Sequence, residues 1–98
     1  MNKEMLKLLV AYDTKGEADK KNSNEVRDFL KASDKYLHLQ ESVWLIYINS
    51  FELESLWNFL NHMLPNSLLT VLDVTGKDFL YSNIYDDSGD EELLFSDF

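Results

Sequence analysis

The order of its amphipathic segments predicts that this chain folds as an α+β domain of the β-α-β-β-α-β kind, with two helices on one face of a four-stranded sheet. Three observations carry that expectation. Residues 5–13 (MLKLLVAYD) have strand character, residues 52–64 (ELESLWNFLNHML) repeat their apolar positions every three or four residues, and two further β-rich runs, 36–48 and 68–74, complete the alternation. The chain has 98 residues, enough for one hydrophobic core and too few for two. Its 45% hydrophobic content is well above the level at which a chain stays unfolded.

In the first strand Leu6, Leu8, Val10 and Tyr12 share one face, and Lys7, Leu9, Ala11 and Asp13 the other. Both faces are substantially apolar, as suits a central strand covered by helices on one side and by a partner subunit on the other. Residues 14–23 (TKGEADKKNS) are polar and predict an exposed loop. Asn22, with Glu25 three residues on, predicts the start of a short helix that carries Val26, Phe29 and Leu30 on one face and ends near Ser33. The run 36–48 splits into two strands, 36–39 and 43–48, around a reversal at 40–42. Ser50 is the expected cap of the second helix, whose buried stripe is Leu53, Leu56, Trp57, Leu60 and Leu64, and Pro65 stops it. A strand at 68–74 follows, then a turn at 75–78 and a short extra C-terminal strand at 79–82. Residues 1–83 are thus expected to form the domain and 84–98 an acidic C-terminal tail, whose Leu93, Leu94, Phe95 and Phe98 suit docking as well as its charge suits disorder.

The formal net charge is −9, unevenly spread: residues 1–40 carry eight basic and seven acidic side chains, whereas from residue 41 onward Lys77 faces eleven acids. Such a field disfavours a phosphate backbone as ligand. The chain has no cysteine, which excludes disulfides and thiolate metal sites. The N-terminus reads as a first strand rather than a signal peptide, and no apolar run approaches the ~20 residues that cross a bilayer. The expected location is the cytoplasm, with no membrane association.

Few residues offer chemistry. Asp13 ends the first strand just before a polar loop, where a carboxylate can hold a divalent cation or simply cap the turn. Ser42 precedes Val43 and Trp44 and is either a hydrogen-bond partner to that site or an ordinary turn hydroxyl. His38 and His62 lie 24 positions apart with no companion at zinc-ligand spacing, and His62 falls outside the apolar stripe. Gly16, Gly76 and Gly89 are isolated turn residues, not a phosphate loop. Tyr12, Trp44, Tyr47 and Tyr81 suit base stacking in kind, but without interleaved Lys and Arg they fit core packing or a dimer seam better.

Four segments, LLVAYD at 8–13, HLQESVWLI at 38–46, ELESLWNFLNHML at 52–64 and LLTVLDVTG at 68–76, resemble in order and separation the Cas2-like family of small ferredoxin-like proteins, which includes VapD toxins and phage and bacterial Cas2-like proteins. The resemblance implies a ferredoxin-like fold and a symmetric homodimer formed through the open sheet face. In some members it also implies a metal-dependent phosphodiesterase. The matching residue, Asp13, would then meet its symmetry mate over Mg2+ or Mn2+, with Ser42 close by. Other members scaffold a partner protein on DNA. The family's second aspartate and the basic residues after the first strand are replaced here by TKGEADKK. With no cofactor otherwise indicated, the expectation is a non-catalytic dimeric interaction or scaffold module, carried by a phage or mobile element. It would bind a basic or amphipathic protein, or mimic nucleic-acid charge. The alternative is an endoribonuclease or deoxyribonuclease using Asp13 from each subunit.

Overall fold

A computed structural model describes residues 4–98. The residues before Glu4, part of the N-terminal reading above, lie outside the described residues. Strand β1 (Met5–Asp13) is followed by helix α1 (Gly16–Lys31), strands β2 (Lys35–Gln40) and β3 (Val43–Asn49), helix α2 (Leu53–Met63) and strand β4 (Leu68–Asp73). The strands form one antiparallel sheet in the order β2-β3-β1-β4, and both helices cover one face, as the ferredoxin-like arrangement requires.

The helix-side core follows the period-2 pattern of β1. Leu6, Leu8, Val10 and Tyr12 meet Trp44, Ile46 and Ile48 of β3 and are sealed by Val26 and Leu30 of α1 and by Leu56, Leu60, Met63 and Leu64 around α2. The helices touch through stacked Phe29 and Phe59 rings, 4.1 Å apart. β2 and β3 separate at a two-residue turn, Glu41-Ser42, with a bulge between His38 and Gln40.

Several local expectations are corrected. α1 begins at Gly16, not near Asn22, because polar side chains in its first turns bond to the α2-β4 connection. Asp19, fully buried, accepts from the Asn66 N–H at 3.0 Å and the Ser67 hydroxyl at 2.5 Å, and Asn22 Nδ2 donates to the Met63 carbonyl at 2.8 Å. Gly16 opens the helix at φ +82, a conformation that favours glycine. α2 enters through a 3-10 turn at Ser50–Glu52, where Glu52 Oε1 accepts from the Asn49 N–H at 3.1 Å; Asn49 thus precedes the turn that Ser50 was expected to cap. Of the α2 stripe, Leu56, Leu60 and Leu64 are buried, while Leu53 and Trp57 stay partly exposed at its margin.

The larger difference lies beyond β4. The extra C-terminal strand does not form: residues 79–84 carry no ladder, and the segment contributes one bridge, Asp86 with His38, and a 3-10 turn at Glu91–Leu94. Residues 84–98 instead pack on the sheet face opposite the helices. Leu93 and Leu94 are fully buried there against Leu37 and Leu45, with Leu9, Tyr47, Phe79, Ile84 and Phe98 around them. The chain's own C-terminal segment therefore covers much of the face expected to be open.

Two devices hold that segment. Lys7, pointing to this face from β1, is completely buried, and its Nζ reaches the carbonyls of Lys77 (2.6 Å), Leu93 (2.8 Å) and Phe95 (2.9 Å). Three acceptors match the three donors of an ammonium. Burial pushes the Lys7 pKa down from the ordinary lysine value, and the charge of Asp78 opposes that shift. Along the outer edge of β2, the N–H groups of Tyr85, Asp86 and Asp90 donate to the carbonyls of Leu39, His38 and Tyr36, while the Tyr36 N–H donates to Asp90 Oδ2 at 3.1 Å. Gly89 permits this approach, because a Cβ there would collide with the Tyr36 carbonyl oxygen.

Replacing Lys7 with methionine keeps the length and removes the donors, leaving three carbonyls without their partner. Lys7→Met is expected to lower unfolding free energy by about 3 kcal/mol in a urea titration and to speed proteolytic cutting after residue 77. An unchanged urea midpoint would show that the ammonium does not secure the segment.

Candidate functional site

The antiparallel register brings the two sequence-predicted site residues to the same end of the sheet. Ala11 pairs with Val43, and the Tyr12 N–H donates to the Ser42 carbonyl at 3.0 Å, so Asp13 and Ser42 occupy neighbouring strand ends. On the other side Asp13 pairs with Leu68 of β4. A shallow depression of about 240 Å³ joins Ala11, Tyr12, Asp13, Leu68 and Thr70.

The Asp13 side chain is 65% exposed and holds the ammonium of Lys15, Nζ to Oδ2 2.9 Å. The carboxylate that would carry a cation thus already has one partner of opposite charge from the loop that follows it. Mg2+ and Mn2+ need several oxygen ligands, and at least one or two carboxylates usually anchor them. Among the described residues, no three of His, Asp and Glu converge on a point where an ion could sit. Asp13 with a lysine on it does not fit a metal site within one chain, and no step through a metal follows from it. Ser42 contributes its main-chain carbonyl to the β1-β3 ladder.

Neither histidine joins Asp13: His38 reaches this end through the β2-β3 turn, and His62 lies on α2. His38 is 2% exposed, stacks on Trp44 at 3.7 Å, and lies against Tyr85 of the C-terminal segment. Its Nε2 is 2.9 Å from the Glu41 carbonyl. A carbonyl can only accept, so Nε2 carries the proton and the ring closes the β2-β3 turn. Burial pushes the His38 pKa below the ordinary imidazole value, outweighing the bond to Glu41. His62 is exposed on α2. Of the four aromatics considered for stacking, Tyr12 and Trp44 belong to the helix-side core, with Trp44 Nε1 donating to the Tyr12 hydroxyl at 3.3 Å, and Tyr47 meets Phe98 edge-on at 5.1 Å under the C-terminal segment. Tyr81 is exposed alone.

What stands out on this side of the molecule is apolar surface. The C-terminal segment covers Lys7 and packs against Leu9, but Leu68 and Leu72 on the same face of β4 remain 66% and 52% exposed. On the helix side of β4, a cleft of about 560 Å³ is lined by Val71 and by Phe51, Leu53 and Trp57 at the start of α2. Sequence reasoning placed Leu53 and Trp57 inside and missed this cleft. The signal was the width of the α2 stripe: adding Phe51 makes it broader than one sheet can cover. Lys7 was equally legible as a charge in the middle of a strand face where Leu9 and Ala11 follow it.

The chain matches no family model, no curated protein and no solved structure. Among the described residues, no helix is long and apolar enough to cross a membrane.

Two measurements follow from this geometry. An exposed ion pair contributes little, so Asp13→Ala is expected to change stability by less than about 1 kcal/mol; a larger loss would give the carboxylate a structural role. For His38 the lowered folded pKa means that the unfolded chain takes up a proton first as pH falls. Its contribution is therefore present above the unfolded value of about 6.5 and is lost as pH drops below it. The urea midpoint should fall between about pH 7 and pH 5.5, and His38→Phe, which keeps an aromatic ring against Trp44, should flatten that slope.

Proposed function

We propose that this chain is a non-catalytic, dimeric interaction module of the Cas2-like kind. The observation that carries the reading is the uncovered apolar surface around β4, where Leu68 and Leu72 are more than half exposed in a chain of net charge −9. Two large apolar side chains exposed on one free strand face, in so acidic a protein, support a binding role, since charge alone would keep the chain in solution. The carboxylate that the alternative reading needs, Asp13, is paired with Lys15 at 2.9 Å. The acidic balance favours a basic protein as further partner over nucleic acid, with binding that weakens as salt rises.

A nuclease assay with and without Mg2+ or Mn2+, beside a size measurement, tests this. The wild-type chain is expected to leave RNA and DNA intact and to migrate as a dimer. Metal-dependent cleavage that disappears in Asp13→Ala, with the dimer retained, would overturn the non-catalytic reading in favour of a phosphodiesterase.

A further inference from the structure

The two edges of the sheet are treated differently. The outer edge of β2 is bonded by Tyr85, Asp86 and Asp90, whereas β4, at the other edge, pairs with β1 alone among the described residues. β4 reads LLTVLD, with no proline, no basic residue and an unbroken register. It lacks the usual protections of a free edge: a lysine, a proline, a bulge or a covering segment.

The hydrogen-bond parity shows which main-chain groups are free. Val74 donates its N–H to the Lys7 carbonyl, towards β1, while Tyr12 donates to Ser42 on the β3 side. In an antiparallel strand a residue's N–H and C=O point the same way and successive residues alternate. Leu68, Thr70 and Leu72 therefore bond to β1, and Leu69 and Val71 present their groups outward. Apolar side chains flank this ladder on both sides, Leu68 and Leu72 on one and the Phe51-Leu53-Trp57 cleft on the other.

Resting on the dimeric reading above, we propose that the occupant of this edge is β4 of a second copy, paired antiparallel about a two-fold axis at Thr70. That register is self-complementary. Leu68 falls opposite the mate of Leu72, Leu69 opposite the mate of Val71, and Thr70 opposite its own mate, all favourable cross-strand pairs. The outward groups of Leu69 and Val71 form the hydrogen-bonded pairs, and Thr70 lies at a closer, non-hydrogen-bonded position. Asp73 falls opposite the mate of Ser67, and its carboxylate is already turned back to the Thr75 N–H and hydroxyl, at 3.0 and 2.6 Å. Moving the axis to Val71 would set Asp73 against Leu69 and lose this match. A second copy also brings its own cleft to the same side of the joined sheet, so both apolar flanks meet their like. From strand spacing and rise, this pairing separates the two Asp13 carboxylates by about 20 Å, too far to share one ion.

The chain contains no cysteine, so a single one reports the axis directly. At a non-hydrogen-bonded antiparallel pair the Cα atoms lie about 4.5 Å apart, within disulfide reach. Thr70→Cys is expected to form a cross-linked dimer on mild oxidation, whereas Ser82→Cys, exposed and away from the edge, stays uncross-linked. Leu72→Lys should weaken the dimer about tenfold or more in sedimentation, with an unchanged circular dichroism spectrum. A wild-type dimer that Leu72→Lys leaves intact, and in which Thr70→Cys does not cross-link, would overturn this interface while sparing the dimeric reading. A monomeric wild type would overturn both.

Discussion

Three main-chain carbonyls, those of Lys77, Leu93 and Phe95, converge over an apolar sheet face and are satisfied there by the Nζ of Lys7. Burying an ammonium is costly unless its donors are matched, and burying carbonyls is costly unless they find donors; here each offsets the other. The arrangement lets Leu93 and Leu94 close over Leu37 and Leu45 and gives the sheet a second, smaller core. Together with the bonds along β2, it holds the segment that hides the face opposite the helices. The strip left bare on that face is β4 and the end of β1.

The helix-side half of the fold was legible because it rests on local periodicity. Leu6, Leu8, Val10 and Tyr12 alternate cleanly, Leu56, Leu60 and Leu64 repeat at helical spacing, and Pro65 ends α2 where a proline must. The start of α1 was not legible, because its first turns are polar for a tertiary reason: Asp19 and Asn22 bond to Asn66, Ser67 and the Met63 carbonyl, more than forty residues away. Local propensity reads such a segment as loop. The C-terminal segment escaped for the same reason, since its acidic residues include groups with assigned partners. Asp90 accepts from Tyr36, and Glu92 meets Lys35 at 2.8 Å.

The candidate site divides along similar lines. Asp13 at a strand end and Ser42 at a reversal were readable because both are local features, whereas their meeting at one end of the sheet comes from the β1-β3 register. The pairing of Asp13 with Lys15, two residues on, was also within reach of the sequence, yet the loop it sits in gave no fixed geometry. What no local pattern contained was the division of the sheet into a covered and an uncovered part. That division arises from chain segments 70 to 90 residues apart, Lys7 with Lys77, Leu93 and Phe95.

Gly89 sets a limit that reaches beyond one molecule. By letting the backbone lie against Tyr36, it closes the β2 side to newcomers, so strand addition can occur from one flank alone. A tile with a single sticky side stops growing at two, whereas one sticky on both sides polymerises without end. In the proposed dimer, the missing side chain at this position would leave β4 as the one joining rim, so growth would end with the pair.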